Sequence, residues 1–245
     1  LDDKYAWAIA SRGLTYRLMG KYDEALADFT RALELDDKYA WAIANRGVTY
    51  QLLGKYDEAL IDFNRALELD DKLDWAIANR GLTYRLLGKY DEALADFTRA
   101  LELDDKYAWA IANRGETYRL MSRYDEALAD FTRALELDDK YAWAIANRGV
   151  TYQLLGKYDE ALADFTRALE LDDKDAWAIA HRGETYWVLS KYEEALADFT
   201  RALELDDKDA WAIAHRGETY WVLSKYEEAL ADFTRALELD DKDAW

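Results

Sequence analysis

The sequence predicts an all-α solenoid, a stack of helical hairpins each made from one 34-residue unit. Three observations predict it: a tryptophan and a glycine recur at that period, each unit holds two apolar stripes at helical spacing, and no stretch alternates as a strand does. The recurring tryptophans are Trp7, Trp41, Trp75, Trp109, Trp143, Trp177 and Trp211. The recurring glycines are Gly13, Gly47, Gly81, Gly115, Gly149, Gly183 and Gly217.

Seven full units fit into one domain spanning residues 1–245. The units are residues 6–39, 40–73, 74–107, 108–141, 142–175, 176–209 and 210–243, with partial units at 1–5 and 244–245. The chain begins at Leu1 without an initiator methionine, so we expect it to be part of a longer protein.

The unit at 142–175 illustrates the first helix of each hairpin. Ile145, Gly149 and Tyr152 fall at i, i+4 and i+7, which is the spacing of one helical face. Gly156 follows at the point where a residue with left-handed dihedrals ends a helix. We therefore predict a helix up to this glycine, then a tight turn.

Gly149 recurs in all seven units although glycine inside a helix costs ~1 kcal/mol relative to alanine. We expect the compensation to be close approach of the second helix, where Ala161 and Ala168 present little bulk.

The second helix of the same unit begins at an acidic pair and carries an apolar stripe. Asp159 and Glu160 suit the positive end of its dipole. Asp172 and Asp173 are predicted to end the helix, and one of them to cap the next first helix by accepting a backbone N–H. The stripe consists of Ala161, Leu162, Phe165, Ala168, Leu169 and Leu171.

The charge of the chain argues against two classes of partner. Its net charge of −19 opposes binding to nucleic acid and to anionic membranes, so we expect neither as a partner. The acidic residues concentrate on second helices and turns, where we expect them to face solvent. In the first unit they are Asp23, Glu24, Asp28, Glu34, Asp36 and Asp37.

The composition also bears on chemistry and compartment. Cysteine is absent, which is typical of a reducing compartment, and we expect the protein to be cytoplasmic. No apolar run approaches the ~20 residues that a membrane span requires. His181 and Glu184 supply only two ligands at i, i+3, so we expect no metal and no cofactor. Seven copies of a regular unit do not form the irregular constellation of a catalytic site, and we expect no enzymatic activity.

One unit carries a family resemblance in Gly149, Tyr152, Ala161, Phe165 and Ala168, all repeated at the period of 34. This pattern resembles the tetratricopeptide repeat over essentially the whole chain. The resemblance implies a right-handed superhelix in which first helices line a concave surface and second helices the convex one. It also implies that the concave surface holds a protein or peptide segment.

Three positions depart from the family pattern. Ile145 occupies the tryptophan position, Arg148 replaces a leucine, and Asp173 replaces a proline. Because a charged residue has replaced an apolar one, we expect Arg148 to pair with an acid such as Asp164. The uniform changes leave open that the array is engineered.

A second face of the first helix remains once the inward face is assigned. Trp143, Asn147, Val150 and Leu154 lie on it at i, i+4, i+7 and i+11, flanked by Gln153. The units differ from one another mainly here, which we interpret as freedom from packing constraints and as the mark of a binding surface. The resemblance implies ligand binding at the same face. The candidate residues are Trp41, Asn45, Val48, Gln51, Trp75, Asn79, Leu82, Arg85, Trp109, Asn113, Glu116, Arg119, Trp143, Asn147, Val150, Gln153, Trp177, His181, Glu184, Trp187, Trp211, His215, Glu218 and Trp221.

The tryptophan at the start of each unit has two interpretations. One is a stacking platform along a bound peptide, since tryptophan is amphipathic and has few rotamers. The other is a cover for the junction with the preceding unit, against Tyr39, Tyr107 or Tyr141 of the turn before it.

The residues of this face differ between the two ends of the chain. Arg17, Arg85 and Arg119 favour an extended ligand with acidic or amide groups in the first five units. Glu184 and Glu218, with nearby histidines and extra tryptophans, favour a basic or aromatic-rich segment in the last two.

The sequence therefore predicts a non-enzymatic scaffold that binds a protein or peptide segment. The alternative is a structural or designed rod that associates end to end without a specific ligand. Neither end of the array has a polar capping helix, so we expect head-to-tail association between molecules.

Overall fold

The computed structural model describes residues 3–243, which form α-helices joined by short turns and no strand. None of these helices is long and apolar enough to cross a membrane. The chain divides into two compact units, Leu1–Met121 and Ser122–Trp245, which we name the N-terminal and C-terminal units. The N-terminal unit contains α1 (Asp3–Leu18), α2 (Tyr22–Leu35), α3 (Ala40–Leu52), α4 (Tyr56–Leu69), α5 (Asp74–Leu86), α6 (Tyr90–Leu103) and α7 (Ala108–Leu120). The C-terminal unit contains α8 (Tyr124–Leu137), α9 (Ala142–Leu154), α10 (Tyr158–Leu171), α11 (Ala176–Val188), α12 (Tyr192–Leu205), α13 (Ala210–Val222) and α14 (Tyr226–Asp243).

Helices pack in chain order, which confirms the prediction of stacked hairpins. In the N-terminal unit α1 packs on α2, α3 on α4 and α5 on α6, and each second helix also packs on the first helix that follows it. The same order holds in the C-terminal unit for α9 with α10, α11 with α12 and α13 with α14. First helices are also in contact with one another, as α1 is with α3 and α3 with α5. They therefore form a continuous face within each unit.

The turn after each first helix contains a left-handed residue, as predicted at Gly156. The φ angle is 71° to 73° at Gly20, Gly54, Gly88 and Gly156. Serine occupies this point with a φ of 59° to 60° at Ser122, Ser190 and Ser224. A residue with a Cβ pays ~1 kcal/mol in this region. Because serine adopts the same conformation as glycine, the packing of the two helices holds the turn in it, and the conformational freedom of glycine is not required.

The prediction that Asp172 or Asp173 caps the next first helix is wrong. Asp172 is the C-cap of α10, and its Oδ1 accepts a hydrogen bond from the Lys174 backbone N–H at 3.1 Å, inside the turn itself. The residue that caps α11 is Asp175, whose carboxylate accepts from the Ala178 backbone N–H at 3.0 Å. Because α3, α5, α7 and α9 have no side-chain cap, packing rather than capping determines where they begin.

A phenylalanine of the second helix fills the space opposite the first-helix glycine. A Cβ added to Gly149 would lie 3.1 to 3.2 Å from the buried ring of Phe165, so the predicted close approach is confirmed. Ala161 and Ala168 are buried, as their small size allows, and the ring of Phe165 fills the space beside the glycine. In the predicted apolar stripe Leu171 is 42% exposed, because it is the last residue of α10.

The predicted pair of Arg148 and Asp164 is confirmed. Arg148 Nε donates to Oδ2 at 2.7 Å and Nη2 to Oδ1 at 2.8 Å, a fork that joins the two helices of one hairpin. The carboxylates of this pair and its counterparts are buried, so the prediction that second-helix acids such as Asp28 face solvent is wrong at this position. The counterparts are Arg12–Asp28, Arg46–Asp62, Arg80–Asp96, Arg182–Asp198 and Arg216–Asp232.

Candidate functional site

The first helices of the N-terminal unit enclose a cleft on their shared face. Its volume is about 270 Å³, and α1, α3 and α5 all contribute to it. We name it the Arg17 cleft. Its lining residues are Leu14, Arg17, Trp41, Asn45, Val48, Trp75 and Asn79. Five of them belong to the candidate residues predicted from the sequence, and Arg17 is named from the sequence as a residue that favours an acidic or amide ligand, whereas Leu14 is not among the candidates.

The asparagines of this face are held by their own helices. Asn45 Nδ2 donates to the Trp41 carbonyl at 2.8 Å, and Asn79 Nδ2 donates to the Trp75 carbonyl at 2.7 Å. Asn113 and Asn147 make the equivalent bond, also at 2.8 Å. Since Asn45, Asn113 and Asn147 are buried, their side chains shape the face rather than project from it.

Glutamine side chains at positions that vary between repeats form hydrogen bonds between neighbouring first helices. Gln51 Nε2 donates to the Asn79 carbonyl at 3.0 Å and to Thr83 Oγ1 at 2.8 Å. Gln153 Nε2 donates in the same way to the His181 carbonyl at 3.0 Å, and to a threonine hydroxyl of α11 at 2.8 Å. The interpretation that these positions are free of packing constraints is therefore wrong. Val48 and Val150, which the sequence also placed here, are buried.

A charged group lies at the end of the N-terminal unit. Arg119 Nε and Nη2 donate to the two carboxylate oxygens of Glu116, each at 2.7 Å. Arg85 Nη1 lies 3.8 Å from Glu116 Oε1, and its Nη2 donates to Asn113 Oδ1 at 3.1 Å. Glu116 is buried, so this carboxylate balances arginine charge from two successive first helices.

The tryptophans pack at the junctions between repeats, which is one of the two interpretations drawn from the sequence. Trp41, Trp109 and Trp143 lie against the tyrosines two residues before them, with ring centroids 5.8 Å apart. Trp109 and Trp143 also meet a phenylalanine of the preceding second helix edge-on at 6.5 and 6.4 Å. They therefore cover the junction. The rings of Trp143, Trp177 and Trp211 nevertheless remain more than one-third exposed.

In the C-terminal unit, His181 lies among aromatic rings and a carboxylate. Its ring centroid is 4.4 Å from that of Trp177 and 5.2 Å from that of Trp211, and Nδ1 is 3.3 Å from Glu184 Oε2. The hydrogen bond from His181 lowers the pKa of Glu184, although burial opposes the shift. Within residues 3–243 no three metal-ligating side chains cluster, here or elsewhere.

The remaining candidates differ in exposure. Glu218 and Trp221 are exposed on α13, and His215 is half-buried with Nδ1 at 2.9 Å from the Trp211 carbonyl. Trp187 is half-buried, and its Nε1 is buried without a hydrogen-bond partner. Leu82 is half-buried on α5. The structure thus brings the candidates together on first-helix faces, some in contact with solvent and others between helices.

Two family profiles described as tetratricopeptide repeat match the sequence over nearly its whole length. The matched residues are 4–72, 73–140, 107–174 and 141–208 for one and 181–244 for the other. Comparison with curated protein sequences gave no match.

Solved structures share the helical-repeat fold. A tetratricopeptide repeat protein from Parabacteroides merdae is 23% identical with a TM-score of 0.75, over 96% of this chain and 93% of that one. YrrB, described as a tetratricopeptide repeat protein with an unusual peptide-binding site, is 26% identical with a TM-score of 0.58, over 76% and 95%. A chain of the Cut9–Hcn1 hetero-tetramer of the APC/C is 20% identical with a TM-score of 0.82, over 87% and 42%.

Proposed function

Because this chain belongs to the tetratricopeptide repeat family, we propose that it is a non-enzymatic scaffold that binds an extended protein segment along its first-helix face. The observation that carries the proposal is the Arg17 cleft, an opening of about 270 Å³ that three successive first helices share. A segment crossing these helices meets Trp41 and Trp75 and the guanidinium of Arg17. Aromatic and arginine side chains are the groups that dominate protein interfaces.

Exposed tryptophans are also present on the first helices of the C-terminal unit. Trp177 and Trp211 keep more than one-third of their surface in solvent while the rest of each ring is packed. A ring held by its neighbours loses little rotamer entropy when a ligand covers its open part. Glu184 and Glu218 give this stretch negative charge, which favours a basic or aromatic-rich segment there.

Selection from a displayed library of extended peptides tests this function. We expect enriched sequences whose affinity falls about tenfold or more in Trp41→Ala or Trp177→Ala, because each change removes a partly packed platform from the face. The measurement is the dissociation constant of each enriched peptide for the parent and the variants.

The control is Ile61→Ala, which removes an exposed apolar side chain from the second helix α4. We expect this variant to bind like the parent. Enriched peptides that lose affinity equally in Ile61→Ala, or a library that yields no enrichment, would argue against binding at the first-helix face.

A second candidate function is end-to-end self-association, which the outer face of α14 favours. Leu237 is 66% exposed, whereas its counterpart Leu203 is 7% exposed in a core shared with Ala212 and Ile213 of α13. A cavity of about 290 Å³ lies between α13 and α14 beside Leu237. At α1, Tyr5 and Trp7 are also largely exposed. Within the chain, the second helix α12 packs on the first helix α13. We expect α14 of one molecule to pack on α1 of another in the same way.

Light scattering over a concentration series tests this association. We expect the average mass of the parent to rise with concentration and Leu237→Asp to remain monomeric, because a carboxylate on the packing face is costly to bury. Leu205→Asp is the matched control, since this leucine of α12 is already 44% exposed, and its mass should follow the parent. A parent that stays monomeric at high concentration excludes the rod.

A further inference from the structure

Arg17 is a partly buried cation without a carboxylate partner in the described part of the chain. Its Nη2 donates to Asn45 Oδ1 at 3.2 Å, a neutral acceptor. Its Nε is buried and has no hydrogen-bond partner, and no acidic oxygen among the described residues lies within 4.0 Å of the guanidinium. Burial accordingly lowers the pKa of Arg17, with only a small opposing effect of Tyr22. The group stays charged and lacks an anion.

The same position two repeats later shows which group Arg17 lacks. Arg85 is the counterpart of Arg17, and it bonds to Asn113 just as Arg17 bonds to Asn45. Arg85 also has the carboxylate of Glu116 at 3.8 Å, thirty-one residues further along the chain. Thirty-one residues after Arg17 stands Val48, which is apolar. The N-terminal unit thus contains the same arginine site twice, once with an internal carboxylate and once without.

We propose that the Arg17 cleft binds an acidic side chain of the extended segment, whose carboxylate takes the place that Glu116 has beside Arg85. This inference rests on the proposed function and specifies the ligand at one point of the face. The cleft opens across α1, α3 and α5, so a segment passes through it and presents a side chain rather than its terminus. At Arg85 the carboxylate lies beside Nη1, so we expect the acidic side chain at Nη1 of Arg17, where a charged donor favours a carboxylate.

The overall charge of −19 does not prevent this contact. At physiological ionic strength the Debye length is about 8 Å, so distant acidic residues are screened while a guanidinium at contact distance is not. The acids nearest in sequence, Asp23 and Glu24, are exposed at the start of α2.

Two blocked nonapeptides of alternating leucine and serine, one with a central glutamate and one with a central glutamine, test the proposal. Their dissociation constants are measured by NMR titration on the indole signals of Trp41 and Trp75. We expect the glutamate peptide to bind the parent about tenfold more tightly, the typical advantage of a charge-assisted hydrogen bond. In Arg17→Gln the two peptides should bind equally.

The second variant, Val48→Glu, supplies the internal carboxylate that Arg85 already has, and circular dichroism checks that both variants fold. We expect Val48→Glu to remove the preference for the glutamate peptide, since the new carboxylate then pairs with Arg17. Equal binding of the two peptides to the parent, or a preference that persists in both variants, overturns the proposal and leaves the scaffold function standing. Absence of binding by either peptide also overturns it, while the library selection above decides the scaffold function separately.

Discussion

Replacing Phe165 with alanine lowers the free energy of unfolding by about 3–5 kcal/mol. The ring is fully buried, and its atoms occupy the space that a Cβ at Gly149 would otherwise enter. Removing it leaves a cavity that the facing glycine cannot fill, so the cost approaches the upper part of the range for large-to-small core changes. Urea unfolding followed by circular dichroism measures the change. The transition should also broaden, because a damaged repeat weakens the coupling between its neighbours.

Leu171→Ala is the matched control for this prediction. Leu171 belongs to the same helix and to the same predicted apolar stripe, but it is 42% exposed. We expect this change to cost less than about 1 kcal/mol, since little apolar surface leaves the interior. Equal losses in the two variants would mean that the phenylalanine does not fill the hairpin core.

Replacing Asp164 with alanine lowers the free energy of unfolding by about 3 kcal/mol, because it leaves the mostly buried Arg148 guanidinium without its carboxylate. Both carboxylate oxygens now accept from Arg148, at 2.7 and 2.8 Å, and these bonds raise the pKa of the arginine. The loss removes the fork that joins α9 to α10. Urea unfolding again gives the magnitude.

Glu170→Ala serves as the control on the same helix, since Glu170 is exposed, and we expect it to change stability by less than about 0.5 kcal/mol. Arg148→Leu completes the test, because leucine stands at this position in the family pattern. An Arg148→Leu variant as stable as the parent, together with a small effect of Asp164→Ala, would show that the fork contributes little.

The fold was predictable because its determinants are local. The left-handed turn at Gly156 and the pairing of Arg148 with Asp164 follow from spacings within one repeat. The cap of the first helix was mispredicted because Asp172 satisfies a backbone N–H inside its own turn, leaving Asp175 to reach the next helix. Which of several neighbouring aspartates accepts such a bond depends on turn geometry that composition does not reveal.

The candidate site was predictable as a face but not residue by residue. Projection of one helix assigns Gln51 and Val48 to the side away from the second helix, and they do lie there. It does not reveal that both are buried, or that Gln51 reaches Thr83 of the next first helix. The sequence names Arg17 as favouring an acidic or amide ligand, but the carboxylate that it lacks appears only by comparison with Arg85 and Glu116.

The bonds between first helices also restrict how such a chain can be lengthened or rearranged. A repeat whose first helix ends with glutamine or arginine depends on its successor in the chain, as Arg85 depends on Asn113 and Glu116. Transposing such a repeat would separate donor from acceptor, so near-identical segments are not interchangeable. The two identical segments at 176–209 and 210–243 carry Trp187 and Trp221 at this position instead. Trp187 Nε1 is buried without a hydrogen-bond partner, so this side chain does not tie its repeat to an acceptor in the next one.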